Sequence, residues 1–111
     1  MEEETILTEL LGNSPKVKVI DLLIIGRRLE YSISDMAEYA GVGRTTIYRM
    51  LDEMLEKKII KPTRRLGRIQ LYQINMENPS VALLWEMLKK LMKIYSEEEI
   101  KRQTMKVKVK R

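Results

Sequence analysis

Five arginines, Arg44, Arg49, Arg64, Arg65 and Arg68, fall within residues 44–68. A guanidinium is permanently charged and planar, and its fork of donors matches a phosphate or the major-groove edge of guanine. Thr45, Thr46 and Tyr48 interleave with the first two arginines. Thr45 suits a thymine methyl or a phosphate, and the Tyr48 hydroxyl suits a phosphate. The other chemistries lack their groups. The chain has no Cys and no His, which removes disulfides, zinc knuckles, thiol redox sensing and the commonest general base. The acid groups Asp52/Glu53 and Glu97/Glu98/Glu99 have neither base nor nucleophile beside them and read as solvated faces. No catalytic residue, metal site or cofactor is expected; the implied chemistry is recognition of phosphates and base edges.

The charge distribution agrees. Residues 1–43 carry eight acids and four bases, residues 44–75 three acids and eight bases, and residues 76–111 five acids and nine bases. Segment charges of −4, +5 and +4 make up the net +5. The basic excess thus begins at Arg44, which says more than the total does. A chain of 111 residues, 44% hydrophobic and 33% charged, suits one domain, or one domain plus a dimerisation helix. No apolar run reaches the ~20 residues that span a bilayer, and the acidic start MEEETILTELL is unlike a signal peptide. A cytoplasmic setting without membrane attachment is expected. Abundant Lys, Glu and Ile hint at a thermophilic or archaeal host.

Two helices joined by a tight turn would carry these residues. In Ser34–Lys58, Ser34 suits an N-cap, with Asp35 and Glu38 favoured by the helix dipole in the first turn. Met36, Ala37 and Ala40 are the apolar positions, Gly41 makes the turn, and Val42 plugs the space between the helices. The second helix starts at Gly43 or Arg44 and runs to about Lys57. Ile47, Met50, Leu51, Met54 and Leu55 form its buried stripe; Arg44, Thr45, Tyr48, Arg49 and Asp52 lie opposite. A helical hairpin of a core with a solvated arginine face is the competing interpretation.

Before this stretch, residues 3–11 predict a short helix with Ile6, Leu7, Leu10 and Leu11 on one side, ended by Gly12-Asn13. Ser14-Pro15 restarts a helix with Ser as cap and Pro at its first position. It covers Lys16–Ile25 and stops at Gly26, with a strand as runner-up because Val17 and Val19 alternate with lysines. Tyr31-Ser32-Ile33 suits a short strand. After the stretch, Ile59–Arg65 and Arg68–Ile74 are β-prone runs around Leu66-Gly67, a hairpin. Pro62 lies on its free edge, Tyr72 and Ile74 face the helices, and Arg64, Arg65 and Arg68 gather at the tip.

Ala37, Gly41, Ile47 and Met50 resemble the helix-turn-helix pattern of a small residue, a turn glycine and two aliphatics. With the hairpin Gly67-Arg68…Tyr72-x-Ile74-Asn75 behind it, residues 14–75 resemble the winged helix-turn-helix regulators, specifically the small prokaryotic and archaeal type related to the arsenic-repressor and multiple-antibiotic-resistance-repressor groups. The resemblance implies an α+β fold: a three-helix core with a β-hairpin wing, flanked by an N-terminal helix (1–13) and a C-terminal dimerisation helix with a basic tail (76–111). It implies duplex DNA as partner, a recognition helix using Arg44, Thr45, Thr46, Tyr48 and Arg49, and a wing using Arg64, Arg65 and Arg68. The family often has Ser or Thr as cap of the second helix where this chain has Gly43, so a phosphate there would meet backbone N–H groups. The Cys-based metal box is absent.

Asn78-Pro79 opens a last helix running to roughly Arg102. Val81, Leu84, Trp85, Leu88, Leu91, Met92 and Tyr95 form one stripe, and Leu83, Met87 and Ile94 an adjacent one. The apolar arc is roughly 200° at about 100° per residue, wider than a single docking surface needs. A second copy of the chain would cover the excess, with Leu83, Leu84, Met87, Leu88, Leu91 and Ile94 at the dimer interface. Packing within one chain, between core and N-terminal helix, is the alternative. The tail Met105–Arg111 alternates basic and apolar residues and is expected to be disordered or weakly attracted to DNA. Trp85 and the methionines read as core or dimer interface rather than as a ligand pocket; no pocket is evident, though the Trp85 and Met87 region between subunits could hold an apolar one, and the sequence names no effector. The reading is a sequence-specific transcriptional regulator, a homodimer on an inverted repeat. A protein–protein adaptor and a nonspecific architectural or replication DNA binder are the alternatives.

Overall fold

The computed structural model describes residues 4–109, with side chains described for residues 4–102. Seven elements follow in order: α1 (Ile6–Leu11), α2 (Pro15–Ile25), α3 (Ile33–Ala40), α4 (Arg44–Glu56), β1 (Ile60–Leu66), β2 (Ile69–Ile74) and α5 (Pro79–Val109). The fold is α+β, five helices and one antiparallel hairpin among the described residues.

Helix α2 is the hub. Ser14 caps it by accepting from the Val17 N–H, and Pro15 takes the first helical position. Its residues are apolar on most sides because α1, α3, α4 and β2 all pack against it. Val19, Leu23 and Ile24 are sealed, each side chain contributing about 1.5–3 kcal/mol of transfer free energy. They share one cluster with Leu7, Met36, Ile47, Leu51, Met54, Ile60, Tyr72, Ile74, Val81 and Leu88.

The entry to α3 differs from expectation. Ser32, not Ser34, is the N-cap: its hydroxyl accepts from the Asp35 N–H while the Asp35 carboxylate accepts from the Ser32 N–H. Both serines precede the apolar positions, but only Ser32 has a capping-box acid three residues on. The expected strand at 31–33 shrinks to one bridge, Tyr31 with Tyr72. Gly41 ends α3 in the left-handed conformation at φ 68°, and Val42 is buried between the helices. Gly43 caps α4 with no side-chain hydrogen bond.

At the far end of α4 a Schellman pattern forms, Lys58 N–H to Leu55 C=O and Ile59 N–H to Met54 C=O. It places Lys58, a non-glycine, at φ 59°. Asn75 and Asn78 donate to the Lys58 carbonyl at 3.0 and 3.1 Å, clipping the base of the hairpin to the end of α4. Asn78 also accepts from the Ser80 N–H, which starts α5 with Pro79 at its first position.

In α1 only Leu7 is buried; Leu10 and Leu11 point to solvent, contrary to the one-sided helix expected. Helix α5 continues to Val109, past the expected end at Arg102 and through most of the segment expected to be disordered; residues 110–111 lie outside the described residues. Val81 and Leu88 are buried and Leu84, Trp85 and Met92 pack against the cluster. Arg27, just after α2, lies 3.9 Å over the Trp85 ring, a cation–π contact fastening α5.

Candidate nucleic-acid interface

The apolar stripe of α4 fixes what its other face presents. Ile47, Leu51 and Met54 are buried, so Arg44, Thr45, Tyr48 and Arg49 are left exposed, with Thr46 half-buried at the edge. Tyr48 is 59% exposed, much for an aromatic ring, and no ring contact or hydrogen bond covers it among the described residues. Neither Arg44 nor Arg49 pairs with a carboxylate among the described residues. The start of α4 therefore presents two cations, hydroxyls and helix N–H groups that no side chain caps, a combination that suits an anion.

The hairpin begins four residues after α4. Its register runs Ile60–Ile74, Lys61–Gln73 and Pro62–Tyr72, then resumes at Arg65–Gln70 and Leu66–Ile69. Thr63 and Arg64 thus oppose Leu71 alone, a β-bulge just where Pro62 has no N–H to give. Gln70 bridges the irregularity, its amide donating to the Arg64 carbonyl at 3.2 Å. The turn is Gly67-Arg68 with Gly67 at φ 63°, the glycine-first pattern of a type II′ hairpin. Tyr72 and Ile74 are buried against the helices as expected, and Leu71 is buried too.

The arginines of the hairpin are not equivalent. The Arg64 Nε donates to Glu30 Oε2 at 3.1 Å, tying the hairpin to the segment between α2 and α3. Arg65 and Arg68 are exposed at and beside the turn, without a carboxylate partner among the described residues. Leu66 and Ile69 flank that turn at 52% and 55% exposure.

Solved structures place this arrangement. An apo-form mutant of ZitR from Lactococcus lactis superposes with a TM-score of 0.63 at 16% identity, over 84% of this chain and 73% of that one. Wild-type ZitR in complex with DNA gives 0.57 at 17%, over 76% and 60%. A homodimeric winged helix-turn-helix DNA-binding domain from Mycobacterium bovis, described as a possible ArsR-family regulator, gives 0.56 at 24%, over 83% and 80%. The chain has the winged helix-turn-helix fold. It spans between 60% and 73% of the ZitR chains it matches. Among family models and curated proteins, none matches the sequence.

In this fold α4 has the place of the recognition helix and the hairpin that of the wing. Of the residues expected on the recognition helix, Arg44, Thr45, Tyr48 and Arg49 are exposed and Thr46 is half-buried beside them. Of the wing arginines, Arg65 and Arg68 stand at the tip, while Arg64 is drawn back toward Glu30. Sequence reasoning passed over Leu66 and Ile69; two large aliphatics bracketing Gly67-Arg68 were a visible signal, Leu66 read only as turn and Ile69 only as strand. The residues expected at a dimer interface divide. Leu88 is 2% exposed within its own chain and has no surface left for a partner, which corrects its assignment; Leu84 packs on the same core. Leu83, Met87 and Ile94 are exposed at 69%, 43% and 49%, and Leu91 is half-buried. At about 100° per residue the exposed three lie roughly 140° round α5 from Val81, Leu88 and Met92.

Proposed function

We propose that the protein is a homodimeric, sequence-specific double-stranded-DNA-binding transcriptional regulator that recognises an inverted repeat. What carries the reading is the recognition helix: Arg44, Thr45, Tyr48 and Arg49 exposed on the first turns, behind an N-terminus that no side chain caps. Those turns are the part of such a helix that reaches base edges. Arg44 and Arg49 are the candidates for guanine; Thr45, Thr46 and Tyr48 complete the groove-facing set. Arg65 and Arg68 take phosphates or the minor groove from the wing, with Leu66 and Ile69 beside them.

Support for the dimer is the face of Leu83, Met87 and Ile94, which nothing in the described chain covers and which Leu91 borders. The neighbouring M. bovis domain is homodimeric and ZitR is seen with DNA; both fit the reading. Two copies related by a two-fold axis would set two recognition helices one turn of duplex apart.

Salt titration of duplex binding tests the wing. The logarithm of affinity falls with the logarithm of salt by about 0.9 per phosphate contacted. The double variant Arg65→Ala/Arg68→Ala is expected to bind all sequences more weakly and to flatten that slope by roughly one to two. An unchanged slope would remove the wing from the interface. The alternative in which the basic face meets an acidic protein predicts duplex affinity no tighter than nonspecific.

A further inference from the structure

Among the described residues one buried side-chain oxygen has no hydrogen-bond partner, Oδ1 of Asp21. Asp21 lies on α2 and is 6% exposed. It forms part of the wall of a half-open cleft of about 720 Å³, bounded by α1, α2, the segment leading to Tyr31 and the end of α3. Leu22, Ile25 and Leu29 supply apolar wall, and the rings of Tyr31 and Tyr39 meet edge to face 6.5 Å apart. Gly26 is required for this shape, because a Cβ there would run into the Tyr31 hydroxyl. Burial first, then Asp35 and Tyr39, push that hydroxyl above its ordinary value, so it remains a neutral phenol. Glu4 adds a second acid; Lys18 lies on the same wall yet leaves Asp21 Oδ1 without a bond.

We propose that this cleft binds a small organic cation, an ammonium or amidinium group that donates to the Asp21 carboxylate and is carried on an apolar or aromatic body lying along Leu22, Ile25 and Leu29. A carboxylate can only accept, and a buried acceptor left empty is unfavourable until a donor arrives. A charged donor makes the shorter and stronger bond, and the tyrosine ring faces attract cations. An anion would instead meet the buried carboxylate. The volume lies in the range of roughly 300–1,000 Å³ typical of small-molecule sites. The site is far in sequence from Trp85 and Met87. Tyr39 and Ala40 belong to α3, the partner helix of the recognition helix, so occupancy bears on the element that seats α4; this regulatory consequence rests on the DNA-binding reading, whereas binding itself does not.

The test is a nuclear magnetic resonance titration of the isotope-labelled full chain with phenethylammonium, 2-phenylethanol and phenylacetate in parallel. The cation is expected to give saturable shifts at the amides of Asp21, Leu22, Gly26, Tyr31 and Tyr39, and to bind at least about tenfold more tightly than the anion. Asp21→Asn is expected to lose about tenfold in affinity for the cation and none for the alcohol. Leu29→Trp, changed at an exposed wall position, fills the cleft and abolishes binding of both while leaving the remaining spectrum in place; it decides the matter should Asp21→Asn not fold. Absence of saturable shifts, equal affinity for cation and anion, or an Asp21→Asn chain that holds the cation as tightly as before overturns the proposal. Duplex binding measured on the same preparation keeps the two readings apart: cation without duplex leaves the site and removes the DNA reading, and duplex without cation does the reverse.

Discussion

Arg44 opens α4 and Arg49, five residues on, lies about 140° round the helix from it, both of them exposed. On the proposed reading Arg49 reaches a guanine edge, where a bidentate contact discriminates by about 1–3 kcal/mol. Arg49→Ala is then expected to relax preference at one base pair of each half-site, measured by competition among duplexes differing at single positions. A uniform loss across sequences would make Arg49 a phosphate contact instead. Lys58 gives a second prediction at this scale. A side chain in the left-handed region costs about 1–2 kcal/mol, and its carbonyl is what Asn75 and Asn78 hold. Lys58→Gly keeps that carbonyl and relieves the strain, so thermal unfolding is expected to rise by about 4 °C; an unchanged or lower midpoint contradicts it. Much at this scale was legible in the sequence. Gly41 and Gly67 occupy the left-handed positions their turns need, and the exposed face of α4 follows from its apolar stripe. The Glu30–Arg64 pair was not legible, because it joins residues 34 apart through a bulge that period-two alternation does not foresee. Lys58 was not legible either, since lysine carries no signal for a positive φ.

Between elements, polar contacts fix how the packed helices meet. Glu53 on α4 accepts from Lys57 at 2.9 Å and from Lys16 on α2 at 3.0 Å. The Lys57 hydrogen bond, then that of Lys16, holds the Glu53 carboxyl below its ordinary value. A carboxylate depressed in the folded state contributes stability above its unfolded value and loses it as pH falls through the folded one. Glu53→Gln is therefore expected to be less stable than the parent at neutral pH, with the difference closing below about pH 4. Denaturation series across that range check it, and a gap that persists in acid would assign the loss to packing. The sites are exposed, so the effect is small. Element order was legible because each helix carries its own punctuation, Ser14-Pro15, Gly41, Asn78-Pro79. The start of α3 was misplaced by two residues because Ser32 and Ser34 both precede the apolar run, and only the reciprocal bond with Asp35 separates them. In α1 the apolar spacing was visible, but which of its residues finds a neighbour depends on α2 and α5, so Leu10 and Leu11 came out exposed.

The molecule measures 62 × 31 × 24 Å. Its long dimension fits α5, whose 31 residues span ~46 Å, while its packing against the core ends at Met92 among the described residues. No helix among them is long and apolar enough to cross a membrane. Helix α5 leaves its own core and still exposes Leu83, Met87, Ile94 and Ile100, which on the proposed reading a second copy covers. The width of its apolar arc was legible in the sequence; the division of that arc was not, because only the seating of Val81 and Leu88 shows which side faces home. The central claim, two recognition helices reading a symmetric site, is tested most directly by selecting bound duplexes from a random-sequence library at near-physiological salt. Enrichment of an inverted repeat with half-sites about one helical turn apart is the predicted result. No enrichment, with binding that vanishes as salt rises, would contradict sequence-specific recognition, and a lone half-site would contradict the symmetric dimer.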